Sequence, residues 1–403
     1  MQISNEYLYK EDQKNYLPTF KRFPLALIKG QGSRVWDADG KEYIDMLAGI
    51  AVNNVGHCHP QVVKAIQDQA AELMHISNFF VSPPQVALSK LLVDLSKMDH
   101  VFLTNSGAES VEGAIKIARK FAYKNNRGGH IISMKNSFHG RTLATIATGQ
   151  AKYQKGFAPI PTGFKQVDFN DLEVLNSAIT VDTAAIIMEP IQGEGGIVLA
   201  EKAYLKAVRR LCDDNDVLLI FDEIQCGMGR TGYLFAKDYF GVQPDIMTLA
   251  KGLGGGMAIG AFLCNKKVGA AIDFGDHGTT FGGNPLASAA ALATIKTILE
   301  ENLCEAATQK GKWLMETIQS WSKDLPMIKG VRGLGLMIGI QMDRPAAPIV
   351  KALMDDGIIA NATAESVLRF VPPLNIPKKD LETVLQKLKS ILQSIEENDK
   401  EKV

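Results

Sequence analysis

Two apolar runs in this chain end abruptly in charge. Residues 217–221 lead straight into Asp222 and Glu223, and residues 246–250 lead into Lys251 and a glycine cluster that closes at Gly256. Five consecutive apolar residues rich in Val, Ile and Leu suit a strand buried on both faces. In open α/β sheets, ligands bind just beyond the carboxyl ends of such strands. A lysine there loses part of its hydration, which lowers its pKa and frees a neutral amine for Schiff-base chemistry. The same placement also suits a phosphate-binding lysine or a plain strand-end charge. Asp222, at a buried strand end, needs a cation or several donors. The protonated nitrogen of a pyridine cofactor is one such cation. A metal shared by Asp222 and Glu223 is the alternative, but no GxxxxGK[ST] loop exists in the chain to cradle a nucleotide beside it.

Other stretches offer complementary chemistry. Ser106-Gly107-Ala108-Glu109 stands between a short strand candidate and a helical pattern, where free amides and the positive helix end suit a phosphate. Phe138-His139-Gly140-Arg141 offers a ring that can stack on a planar group and a guanidinium that can grip a carboxylate with two hydrogen bonds. A core phenylalanine and a surface arginine are the plainer reading. Residues 189–196 leave another apolar run into a glycine-rich loop with two acids, Glu189 and Glu194, and no histidine beside them. Residues 277–285 supply hydroxyls, Thr280 among them, at a change in sequence character. Arg369 ends an apolar run, where it can neutralise a carboxylate or bind a ligand.

These residues need a scaffold of alternating elements. Strands are expected at residues 101–103, 130–134, 184–188, 217–221, 245–249 and 260–264, with helical patterns between several of them. That alternation predicts a largely parallel sheet with helices on both faces. Residues 1–34 read as an arm with a short polar helix, and residues 35–44 as a hairpin turned at Asp39-Gly40. From Asn284 onward, two long helical patterns, short strands and a final helix from Pro377 predict a smaller α+β domain. The division expected is an arm and hairpin (1–52) joined to the small domain, a large domain (53–284) and a C-terminal small domain (285–403). The last eight residues, EENDKEKV, are expected to fray.

Bulk composition narrows the class. The 403 residues are 46% hydrophobic and 22% charged, with 44 basic and 44 acidic side chains. No basic surplus suggests nucleic acid, and no apolar run approaches the roughly 18 residues that span a membrane. The polar N-terminus resembles no secretory or transit signal. The five cysteines form no CxxC pair, so no metal site is expected and a reducing cytoplasm fits.

The ordered set NSGAES, FHGRT, EPIQGEGG, DEIQCGMGRTG, LAKGLGGG, TTFGGNP and RFVPPL resembles the class III pyridoxal-phosphate aminotransferases of fold type I, over about residues 17–375. LAGIAVNNVGHCHP and HISNFF look most like the acetylornithine branch. The resemblance implies an α/β large domain with a mostly parallel sheet flanked by helices, a smaller α+β domain, and pyridoxal 5'-phosphate as cofactor. It implies that Lys251 is the Schiff-base lysine, that Asp222 pairs with the ring nitrogen and that Phe138 stacks on the ring. Ser106, Gly107 and Ala108 would lie at the phosphate, Gln225 near the phenolic oxygen, and Thr280 would reach the phosphate of a partner subunit in a homodimer with shared sites. Arg141 and Arg369 would hold substrate carboxylates, with Glu194 masking Arg369. Phe20 falls where tyrosine is common, so one hydrogen bond to a substrate carboxylate is missing. The activity implied is transamination of N-acetylornithine with 2-oxoglutarate in arginine biosynthesis. Ornithine, succinylornithine and 4-aminobutyrate aminotransferases are the neighbouring alternatives, and a binding protein that keeps the fold without turnover is the non-enzyme one.

Overall fold

The computed structural model describes residues 4–400. Seven strands form the central sheet in the order His100–Thr104, Gly260–Cys264, Ile246–Leu249, Leu218–Asp222, Thr183–Met188, His130–Met134 and Phe164–Val167. Thr183–Met188 and Leu218–Asp222 are buried at every residue, as expected of continuous apolar runs covered on both faces. All strands run parallel except Gly260–Cys264, which is antiparallel to both neighbours. The reason lies in the connection. Between Leu249 and Gly260 the chain makes only one 3-10 turn, Lys251–Leu253. A parallel crossover needs a dozen or more residues, so the chain turns straight back.

The sheet's carboxyl edge gathers the chemistry-bearing stretches. Helix Gly107–Lys124 starts there, capped by Ser106 Oγ, which accepts from Glu109 N at 3.2 Å. This is the reason a Ser-Gly pair sits at the end of a strand: serine satisfies an otherwise orphaned helix amide.

Two smaller, mostly antiparallel sheets of four strands each lie beside the central sheet. Leu27–Gln31, Arg34–Asp37 and Glu42–Asp45 form a sheet that Ile358–Ile359 joins in parallel. Ile328–Leu334, Met337–Met342, Val367–Phe370 and Asn361–Thr363 form another. The hairpin near the N-terminus thus shares a sheet with the C-terminal third. One core runs through both, with Leu88 and Leu249 in the same cluster as Ile295, Ile340 and Leu381. The fully buried Arg230 ties these layers together. It donates to Leu336 O at 3.0 Å, Pro372 O at 2.5 Å and Asn54 Oδ1 at 2.6 Å.

Several elements depart from the sequence expectation. Phe164–Val167 is a strand at the sheet edge, too short and polar to announce itself. Helix Lys378–Lys400 extends into the first part of the segment expected to fray, up to Lys400, and its apolar face, with Leu385, Leu388 and Leu392, is buried. Residues 401–403 lie outside the described residues, as do the first three residues of the arm. The arm itself holds the helix Asn5–Asn15, capped by Ser4.

Candidate active site

A cavity of about 420 Å³ opens at the carboxyl ends of the parallel strands, and Lys251, Asp222, Phe138, Arg141, Gln225, Ser106, Gly107 and Ala108 all line it. Asp222 is buried at its floor. Its Oδ1 accepts from Ile224 N at 3.0 Å and Thr248 Oγ1 at 3.2 Å. Its Oδ2 lies 2.7 Å from His139 Nδ1. Burial opposes a charge on His139, but the hydrogen bond and charge of Asp222 outweigh it and raise the histidine's pKa. His139 Nε2 is buried without a partner among the described residues.

Two further carboxyls flank this pair. Glu189 Oε2 accepts from Phe138 N at 3.1 Å and its Oε1 from Gly193 N at 3.2 Å, so it links the Phe138 loop to the glycine-rich one. Glu223 points away, accepting from Ala236 N at 2.5 Å and Lys237 N at 2.7 Å. Burial pushes each of these acids up to about 7. Asp222 and Glu223 thus serve different elements rather than one shared ligand, and among the described residues no group of three or more His, Cys, Asp or Glu is placed to hold a metal ion.

Lys251 adopts φ +44 at the head of its 3-10 turn, a conformation that costs energy in any non-glycine residue. Burial lowers its pKa despite the nearby Glu194. Arg369, fully buried, reaches across from Val367–Phe370. Its Nη1 meets Glu194 Oε1 at 2.5 Å and Gln225 Oε1 at 3.2 Å, and its Nε meets Asn361 Oδ1 at 3.1 Å. Its Nη2 has no acceptor among the described residues. Burial alone would raise the Glu194 carboxyl, yet the charge and hydrogen bond of Arg369 hold it below its usual range. At the helix mouth, a Cβ on Gly107 would come within 2.9 Å of Ile224 Cδ1, so a side chain there would have to push Ile224 aside.

Two expected residues lie elsewhere. Thr280 is exposed and lies outside this cavity. Its loop is tied to the strand end, with Asn105 Nδ2 donating to Thr279 Oγ1 at 3.1 Å. Phe20, on the arm, lines a separate cavity with Leu47, Ile50 and Asn361. His139 and Glu189 went unassigned in the sequence, although both stand inside stretches singled out there. The missing signal was pairing: a buried aspartate requires a buried donor, and a histidine follows the candidate stacking ring.

The geometry thus defines an α/β enzyme site with an amine, a buried acid, a stacking ring and two arginines. Residues 17–392 match the family model for aminotransferase class-III, and the chain belongs to that family. It is 52% identical to the acetylornithine aminotransferase of Methanocaldococcus jannaschii over 98% of this chain and 100% of that protein. It is 47% identical to the acetylornithine aminotransferase of Caldanaerobacter subterraneus, over 95% and 98%. Among structures, ornithine aminotransferase from Toxoplasma gondii ME49 superposes with a TM-score of 0.95 at 34% identity, covering 98% and 96% of the two chains. N-acetylornithine aminotransferase from Stenotrophomonas maltophilia K279a gives 0.83 at 38%, covering 96% and 98%. Members of this family use pyridoxal phosphate. The residues present fit that group: free helix amides beside a glycine, a buried carboxylate backed by a histidine, an aromatic ring and a desolvated amine.

The buried acids make a pH prediction. Glu189 and Glu223 bind a proton near 7 when folded but at 4.5 ordinarily. At these two groups the folded state therefore holds more protons, and the stability they contribute is full below 4.5 and lost as pH rises through 7. The urea midpoint of the wild type should fall between about pH 5 and pH 8. Glu223→Gln should flatten that fall, by up to about 3 kcal/mol for the one group; an unaltered slope would show that Glu223 does not titrate there.

Proposed function

We propose that the chain transfers the δ-amino group of N-acetylornithine to 2-oxoglutarate, giving N-acetylglutamate 5-semialdehyde and glutamate, as a step of arginine biosynthesis in the cytoplasm. The observation that carries this reading is the Arg369–Glu194 pair beside Lys251. One site must accept an ω-amine in one half-reaction and an α-amino acid in the other. A bare Arg369 would attract the donor's carboxylate and present the wrong end. Glu194 masks it until a dicarboxylate arrives, and the unpartnered Nη2 gives the incoming carboxylate a first hold. The similarity of the acetylornithine relatives supports the acyl donor over free ornithine, succinylornithine or 4-aminobutyrate.

Bound in the cavity, pyridoxal phosphate supplies an electron sink and carries the amino group between substrates. Gly107 and Ala108 would hold its phosphate with backbone N–H groups, with Ser106 fixing the turn. Phe138 would cover one ring face, and Gln225 would stand near the phenolic oxygen. Asp222 would keep a proton on the ring nitrogen, and His139 Nδ1 keeps Asp222 in place. Lys251, freed by desolvation to act as a neutral amine, would take the proton from the amino-bearing carbon and return it to the carbon on the far side of the nitrogen. Arg141 would hold the donor's α-carboxylate. Phe20 lines the separate cavity with Asn361, so the arm would have to move for it to face the donor.

We also propose a homodimer. Leu73, Met74, Phe79, Phe80, Val81 and Phe281 are exposed, and their segments touch: His75 packs on Phe281 at 5.1 Å and Asn78 Nδ2 donates to Thr279 O at 3.0 Å. An apolar face of this extent marks an interface. A second copy there would carry its Thr280 to this chain's phosphate site.

With 2-oxoglutarate as acceptor, kcat/KM for N-acetylornithine should exceed that for ornithine and 4-aminobutyrate. A lower value sinks the substrate assignment. In the same assay Lys251→Ala should bind cofactor yet lose turnover. Phe79→Asp should sediment as a monomer and bind cofactor more weakly; a dimer with unchanged affinity would place the interface elsewhere.

A further inference from the structure

Arg141 is held in an unusual way. It makes no hydrogen bond or ion pair with any other described residue, yet its guanidinium carbon sits 3.6 Å from the Tyr153 ring centroid and 4.6 Å from that of Phe138. The two rings stand edge to face, at 87° and 5.7 Å between centroids. Arg141 and Phe138 line the active cavity and Tyr153 does not. Tyr153 stands behind the arginine.

We propose that Tyr153 is a positioning residue that sets the plane of Arg141 for the substrate's carboxylate. An aromatic face attracts a guanidinium through its π electrons and occupies none of its N–H groups. A carboxylate partner would fix the plane equally well, but it would consume the donors that substrate needs. Stacking therefore leaves the whole fork free for a bidentate grip. This contrasts with Arg369, whose Nη1 and Nε are already engaged by Glu194, Gln225 and Asn361.

Both sides of the stack are anchored. Tyr153 ends the 3-10 turn Ala151–Tyr153, with its N–H donating to Gln150 O at 3.0 Å. Gln154 Nε2 donates to Ile146 O at 2.8 Å, fastening that turn to helix Leu143–Ala147. On the arginine side, Thr142 Oγ1 donates to Glu112 Oε1 at 2.5 Å and lies 2.9 Å from Thr145 Oγ1. Gly140 has φ +140, and a Cβ there would meet Thr145 Oγ1 at 2.8 Å. Arg141 is thus presented from a fixed backbone onto a fixed ring.

The inference rests on reading Arg141 as the donor's carboxylate holder. The test is a double-mutant cycle of Tyr153→Ala and Arg141→Ala, read as kcat/KM for N-acetylornithine. With Arg141 present, Tyr153→Ala should lower kcat/KM by roughly 3- to 30-fold, mostly through KM. With Arg141→Ala already made, it should cost less than about twofold. Tyr153→Phe should restore the wild-type value, and Tyr153→Leu, which keeps bulk without a π face, should behave like Tyr153→Ala. Equal losses on both backgrounds, or failure of Tyr153→Phe to rescue, would overturn the role. An Arg141→Ala enzyme with wild-type kcat/KM would instead overturn the carboxylate assignment, and this inference with it.

Discussion

A charge taken out of water must find a partner, and that constraint organises this molecule. The carboxyl edge of the sheet buries Asp222, Glu189 and Glu223 close to one another. Each solves the problem differently. Asp222 takes a histidine, an amide and a hydroxyl. Glu189 and Glu223 each take two backbone amides and shift toward the protonated form. Arg369 borrows a carboxylate from a flanking loop. The hydrophobic strands hold these groups dry, and a dry site is where an acid can steady a ring nitrogen and a lysine can stay neutral.

Arg141, which lines the cavity, and Arg369, which reaches Gln225 at its wall, differ in what fixes them, and the difference suits the two jobs proposed for the site. Arg141 lies on aromatic faces and is always available. Arg369 is clasped by Glu194, Gln225 and Asn361 and becomes available when Glu194 is displaced. Under the proposed function, a permanent grip and a conditional one would let a single site take a mono-carboxylate donor and a dicarboxylate acceptor in turn. Glu194 is suited to the conditional part, since it lies on a glycine-rich loop and remains partly exposed.

Much of this was legible in the sequence for a physical reason. Continuous apolar runs such as Thr183–Met188 and Leu218–Asp222 are the signature of doubly covered strands, and the residues just beyond their carboxyl ends must sit at the ligand-binding edge. That placed Lys251, Asp222, Phe138 and Gly107 in one cavity. Pairings across the fold were less legible. His139 is far from Asp222 in sequence, and Tyr153 is separated from Arg141 by a helix, so no local period reveals either contact. Strand direction at Gly260–Cys264 also escaped, because the apolar pattern is the same for parallel and antiparallel buried strands. Only the shortness of the preceding connection held that information.

In the proposed mechanism substrate exchange would depend most directly on Glu194 as the mask of Arg369, and separate half-reactions measure it. Glu194→Gln keeps a hydrogen-bond acceptor and removes the charge. The enzyme should then lose roughly tenfold or more in kcat/KM for N-acetylornithine while that for 2-oxoglutarate holds or improves. Equal losses in both half-reactions would contradict the masking role, since they would make Glu194 a structural partner of Arg369 and leave substrate exchange without its switch.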